Sequence, residues 1–290
     1  MARTSLPPGA DLGGRLQRDA DDAAAPGAVL APGRPGTRPG PAAGLGRVAR
    51  PDPGLAVLLL VRLRASQVPW AVGQLVRGPG RWLREPGVRF ARVLGSGRDG
   101  GFGLRPGLDH QGVFLMFDEV ADALALVARS PLVAAYRSRA ERCLVAVLQA
   151  SSARGHWAGQ GMRAIVPPPC AGQPVLALTR ASIRPSRAWR FWRHSPPSEA
   201  ALAAAPGCRL AVGLGEAPVL RQATLSLWDD TAAMNAYARQ GAHQRAIESS
   251  YGEGYFSESM FVRFVPLLMQ GHWGANCIGA GSDRAGGGHG

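Results

Sequence analysis

The tripeptide Gly-His-Trp occurs twice, within GHWAG at 155–159 and GHWGA at 271–275, 116 positions apart. A repeat at that spacing limits the fold more than any local pattern does, because both copies have to be one kind of folding unit. The segments before the two motifs extend the repeat. In the first copy LAVLLLVRL (55–63) reads as a strand and QVPWAVGQLVRG (67–78) as a short helix. FARVLGSG (90–97) and GVFLMFD (112–118) read as strands around a Gly-rich loop. The helix DEVADALALVARS (118–130) follows, with Val120, Leu124 and Val127 on one face, and then the strand RCLVAVLQAS (142–151).

The second copy repeats that order. VLALTRASI (175–183) is a strand, and SRAWRFWRH with SEAALAAA is the helical stretch. CRLAVGLGEAP (208–218) and LRQATLSLWDD (220–230) are strands, residues 230–248 a long helix, and MFVRFVPLL (260–268) the last strand. Phe117-Asp118 matches Trp228-Asp229, Leu124 matches Met234, Val127 matches Tyr237 and Arg129 matches Arg239. The order β-α-β-β-α-β is the ferredoxin-like unit. One sheet face of each unit is apolar and has to be covered, and two units can cover each other. The expected fold class is therefore α+β: tandem duplicated ferredoxin-like units forming an intrachain counterpart of the dimeric α+β barrel. The two sheets are expected to enclose an apolar space for a flat or elongated ligand. The halves span 55–160 and 174–277. Residues 1–54, dominated by Ala, Pro, Gly and Arg, are expected to be a disordered extension, and 278–290 a flexible tail.

Composition narrows the function classes. The formal charge is +13, and all 33 basic residues are Arg. That Arg is spread along the whole chain and accompanies an Ala/Gly/Pro excess, the pattern of compositional bias, and no nucleic-acid recognition motif accompanies it. The four cysteines are far apart, with no CxxC pair, so neither a zinc ribbon nor a disulfide framework is expected, and a reducing cytoplasm is the default. The longest apolar run, 55–61, is far short of a membrane span. Hydrolase, zinc-protease and phosphate-loop motifs are absent.

Of the six histidines, His289 falls in the expected tail and is set aside, and five remain as candidates. His156 and His272 match in the two GHW motifs, which suits a structural cap on the last strand. His110 and His194 fall in expected loops and should be exposed. His243 lies in the second long helix, where the first copy has Val133, so it breaks the symmetry of the repeat. Its neutral imidazole is either a partly exposed helix residue or an axial ligand for haem iron. Arg239 lies one turn earlier and suits a haem propionate. Arg180, Arg184, Trp189, Phe191, Trp192 and Trp228 form an aromatic and Arg-rich group in the second half. Core packing and the lining of an apolar substrate channel both account for it; Arg180, Trp192 and Trp228 are the candidate substrate contacts.

LTRASIRP (178–185), FW (191–192), GLGEAP (213–218), QATLSLWDD (222–230), AYAR with His243, GYFSESMFVRF (254–264) and GHWGA together resemble the spheroidene monooxygenase family. The resemblance covers about 55–277. It implies an acyclic carotenoid 2-ketolase that holds haem b and uses O2 and electrons from reduced ferredoxin. It also implies that His243 is the iron ligand and Arg239 a cofactor contact. The implied partners are a spheroidene-like carotenoid and ferredoxin, with no nucleic acid. The implied location is cytoplasmic, with peripheral contact to the inner photosynthetic membrane left open. A non-catalytic haem- or lipid-binding barrel is the alternative.

Overall fold

A computed structural model describes residues 50–101, 106–192, 201–202, 204–217, 220–239, 254–273 and 276–277. The first half runs β1 (Leu55–Leu63), α1 (Val68–Arg77), β2 (Val88–Gly97), β3 (Pro106–Phe117), α2 (Val120–Arg129), α3 (Pro131–Arg139) and β4 (Ala140–Gly155). The second half runs β5 (Val175–Ile183), β6 (Cys208–Ala217), β7 (Arg221–Trp228), α4 (Thr231–Ala238) and β8 (Phe256–Trp273), with a short β9 (Asn276–Cys277). Residues 188–192 are also helical. Both halves therefore have the expected ferredoxin-like strand order.

The strands follow one another as β4-β1-β3-β2-β6-β7-β5-β8, and β8 pairs back onto β4, so eight strands close a barrel. Two seams join the halves. At one, β4 and β8 run antiparallel from Leu144↔Gly271 to Gly155↔Met260. At the other, β2 meets β6 through Gly95↔Gly215, where the Ser96 hydroxyl donates to the Gly213 carbonyl at 2.5 Å. The LGSG and VGLG segments are thus one seam seen from its two sides.

The β4–β8 seam explains the repeated tripeptide. Gly155 and Gly271 both have positive φ, 83° and 103°. A Cβ on Gly155 would lie 2.1 Å from the Ser259 carbonyl oxygen, and one on Gly271 would lie 2.0 Å from that of Cys143. Each glycine sits where the end of one long strand crosses the start of the other, which only a residue without a side chain permits. The tryptophan two residues later then turns toward the barrel. Trp157 is fully buried and stacks on Phe114 with centroids 5.3 Å apart, while Trp273 is half-buried and makes a T-shaped contact with His110. His156 and His272 are exposed. The structural members of the motif are thus its Gly and Trp, and the His between them points outward.

Alternation along the strands makes two layers. Inward residues Leu58, Leu60, Phe114, Leu144, Leu178, Leu214 and Phe264 fill the barrel. Among the described residues these side chains pack together where a ligand space was expected. An eight-stranded barrel is just wide enough for side chains to fill, and here those side chains are large. Even Gly112 lies so close to Leu214 and Leu60 that a Cβ there would clash with Leu214.

Three local expectations change. Ser130 caps a second helix, accepting from the Leu132 and Val133 amides, and Pro131 takes its first position, so the first half carries α2 and α3 instead of one helix. On α2 the buried residues are Ala123, Leu126 and Val127, and Leu124 is exposed, because Ala123 and not Leu124 matches the buried Met234. His110 lies in β3, buried, with Nδ1 2.9 Å from Asp109 Oδ1, rather than in an exposed loop. His194 lies outside the described residues.

Candidate functional sites

Inward-facing positions normally carry apolar side chains, and four charged residues at one end of the barrel break that rule: Arg92 on β2, with the parity of Phe90 and Leu94, and three residues of the second half. Arg180 on β5, Glu216 on β6 and Glu258 on β8 have the inward parity of Leu178, Leu214 and Met260. Arg180 is 3% exposed. Its guanidinium donates to Glu216 at 3.3 Å and pairs closely with Glu258. Glu216 also accepts from Trp157 Nε1 at 3.0 Å and pairs with Arg92 of the first half. Arg92 in turn lies over the Phe90 ring, and Arg180 lies 5.5 Å from the Trp157 ring centre. Two guanidinium groups and two carboxylates thus balance at this end of the barrel. Arg180 Nε has no acceptor among the described residues.

Burial works to raise the Glu258 carboxyl, but the Gly159 and Ala158 amides and then Arg180 outweigh it and hold the group below the ordinary carboxylate range. A network this enclosed is fixed in place, since removing one partner leaves a buried charge uncompensated. Glu216, Glu258 and Arg92 are not among the site candidates of the sequence, and Trp157 stands there only as part of the repeated tripeptide. Strand parity was the available signal: charged residues at every-second-residue spacing from Leu178, Leu214 and Met260.

The outward faces of the two halves differ. In the first half Leu55, Val57, Leu59, Val61, Val113, Leu115 and Phe117 pack under α1, α2 and α3 with Trp82 and Tyr136. The matching strand positions of the second half carry smaller groups. Ala177, Thr179 and Ala181 stand for Val57, Leu59 and Val61; Gly213 stands for Val93; Thr224 and Ser226 stand for Val113 and Leu115. Thr179 is exposed where Leu59 is 2% exposed. The second outer cluster is Val175, Leu202, Trp228 and Met234, with Tyr237 against it. Trp228 donates through Nε1 to Ser226 Oγ at 2.9 Å, and its ring centre lies 5.4 Å from that of Tyr237. Burial, then the nearby Cys208, pushes the Tyr237 hydroxyl up to about 12, so it stays protonated at neutral pH.

The residues singled out from the sequence therefore do not form one group. Arg180 faces into the barrel, whereas Trp228 lies on the opposite face of the same sheet, under α4. Trp192 is half-buried and meets Phe191 edge-on at 5.4 Å, and Phe191 reaches Phe256 at 6.0 Å. Arg239 caps the C-terminus of α4 and is exposed. His243 lies outside the described residues.

No family model matches the chain. Over 217 residues it is 55% identical to the spheroidene monooxygenase of Rubrivivax gelatinosus, which covers 75% of this chain and 84% of that protein. Over 211 residues it is 36% identical to that of Rhodobacter capsulatus, 72% of this chain and 88% of the relative. Among solved structures, an aldoxime dehydratase aligns over 73% of the chain and 80% of its own at 8% identity, with a TM-score of 0.48. With 55% of 217 aligned residues identical to one spheroidene monooxygenase, over most of both lengths, the chain belongs to the spheroidene monooxygenase family.

Proposed function

We propose that this chain oxidises C2 of spheroidene or a related acyclic carotenoid to hydroxy and keto products, with haem b, O2 and reduced ferredoxin. Membership of the family supports the carotenoid and the monooxygenase chemistry. Each hydroxylation puts one oxygen atom of O2 into a C–H bond and reduces the other to water, using two electrons and two protons. Two hydroxylations at one carbon give a gem-diol, which loses water to the ketone. The haem, when bound, supplies the O2 activation that protein side chains alone do not provide.

The observation that carries the cofactor reading is the reduced outer face of the second half. Truncating Leu or Ile to Ala in a packed layer costs about 2–5 kcal/mol, yet this half replaces Val57, Leu59 and Val61 by Ala177, Thr179 and Ala181. Small side chains on this outward face, with Thr179 exposed at the centre of β5, leave room for a flat ligand against the sheet, so the residues present fit a haem. His243, beyond the end of α4, would hold the iron, and the exposed Arg239 would meet a propionate. Trp228 and Tyr237 would close the apolar side of that layer. Arg180 and Trp192 would act on the carotenoid side, Arg180 through the fixed network around Trp157.

The test is turnover of spheroidene by purified protein with O2 and a ferredoxin reducing system, wild type beside His243→Ala. The expected result is 2-hydroxy and 2-keto carotenoid from the wild type and neither from the variant. Haem uptake without any carotenoid product would instead make the chain a non-catalytic binder on this fold.

A further inference from the structure

No helix among the described residues is long and apolar enough to cross a membrane. The substrate of the reading above is a bilayer-dissolved molecule, so a surface that lies against lipid would serve it. One segment has the composition for it. α1 and the 3-10 turn that follows it, Gly78–Arg84, run across the outside of the first half. Their inner side is anchored: Ala71, Gln74 and Trp82 are buried, and both Trp70 and Trp82 rest on Tyr136. Their outer side exposes Val72, Leu83 and, at 82%, Val76. Exposed Arg77, Arg81 and Arg84 are interleaved with these aliphatic groups.

The only carboxylate in the same stretch, Glu85, accepts from the Ser130 hydroxyl at 2.8 Å. Beside it, Arg81 and Arg84 border an open cleft of about 200 Å³ together with Glu85, Pro131 and Leu132. Protruding aliphatic side chains beside arginines on a rigidly anchored helix and turn are the chemistry of a surface that lies in the headgroup layer. The arginines complement anionic lipid, whereas Val76 and Leu83 have no use in a purely electrostatic contact with an acidic protein.

We propose that α1 and the Gly78–Arg84 turn form the membrane-docking surface of this protein. Val76 and Leu83 enter the acyl boundary, and Arg77, Arg81 and Arg84 contact the phosphates of an anionic bilayer. The biological use of that contact rests on the carotenoid reading, but the contact itself is measured without haem, O2 or reductant. A failure here therefore leaves the reaction untouched, and a failure of turnover leaves this surface untouched.

The experiment is co-sedimentation of the full chain with vesicles of phosphatidylcholine alone or with one third phosphatidylglycerol. Three variants accompany the wild type: Val76→Asp with Leu83→Asp, Arg81→Gln with Arg84→Gln, and Trp189→Ala. Trp189 is the rival contact, 75% exposed in the second half. All substituted side chains are exposed, so each variant should keep its thermal midpoint. The wild type is expected to bind the phosphatidylglycerol vesicles and hardly the neutral ones. Binding should fall about tenfold or more with the two aspartates and roughly fivefold for each arginine lost, with Trp189→Ala unchanged. Equal binding by the wild type and both double variants would overturn the proposal. So would loss of binding in Trp189→Ala alone, or binding to acidic ferredoxin through these arginines with none to either vesicle.

Discussion

Leu59 and Thr179 occupy the same place in two copies of one unit, at the centre of the first strand and facing outward. The first is buried beneath helices and the second is exposed. Inside the barrel the contrast reverses: Leu60 is an ordinary core residue, and its counterpart Arg180 is buried in an ion network. The first half is built as a scaffold on both faces of its sheet. The second half keeps the strands and seams but has less aliphatic packing outside and supplies three of the four charges of the network inside, Arg92 of the first half being the fourth. A duplicated fold can diverge in this way because the seams are backbone pairing and glycine clearance, which do not depend on the residues between them.

The largest difference between the halves should come from the two motif tryptophans. Trp157→Ala removes a fully buried ring stacked on Phe114 and is expected to cost about 3–5 kcal/mol. Trp273→Ala, at a half-buried ring, should cost less than half of that. Urea unfolding of both variants measures it, and equal losses would break the assignment of unequal roles.

Installing the first half's residue at Arg180 should come next. Arg180→Leu leaves Glu216 and Glu258 short of a partner, for a loss of about 3 kcal/mol. Adding Glu258→Gln to that variant should restore part of it, a coupling that a double-mutant cycle reads directly.

The same network predicts a pH dependence. The folded-state pKa of Glu258 is lowered, so its stabilisation is fully present above the ordinary carboxylate value, 4.5, and is lost as pH falls through and below it. Glu258→Gln should therefore flatten the acid limb of the stability curve and be less stable than wild type at pH 7. An unchanged acid limb would mean that Glu258 is not held by the Gly159 and Ala158 amides and Arg180 in solution. The smallest effect on stability, within about 1 kcal/mol, is expected of Thr179→Leu. Its effect on carotenoid turnover should be the opposite, since it refills the outer layer of the second half as Leu59 fills that of the first.

Much of this architecture is legible in the sequence because a repeat supplies its own check. Strands that match in two copies, with GHW closing each, leave few alternatives to a pair of ferredoxin-like units. The helix ending at Ser130 is legible, but the α3 that starts at Pro131 is not, because its apolar pattern is weak and Pro131 also suits a stop after α2. The network stayed hidden for a different reason. Arg180, Glu216 and Glu258 lie on three strands far apart in sequence, and only barrel closure brings them together. The reduced outer face is legible once registers are known, because Ala177, Thr179 and Ala181 then stand directly beside Val57, Leu59 and Val61 in the alignment of the halves.

The central claim is that the outer layer of the second half holds a haem. The direct measurement is the visible absorption spectrum of the protein loaded with haem, for the wild type, His243→Ala and Thr179→Leu. A Soret band in the wild type that is lost or shifted in His243→Ala and weakened in Thr179→Leu is the expected result. No Soret band in folded, haem-reconstituted wild type, or a band that neither substitution alters, would contradict it.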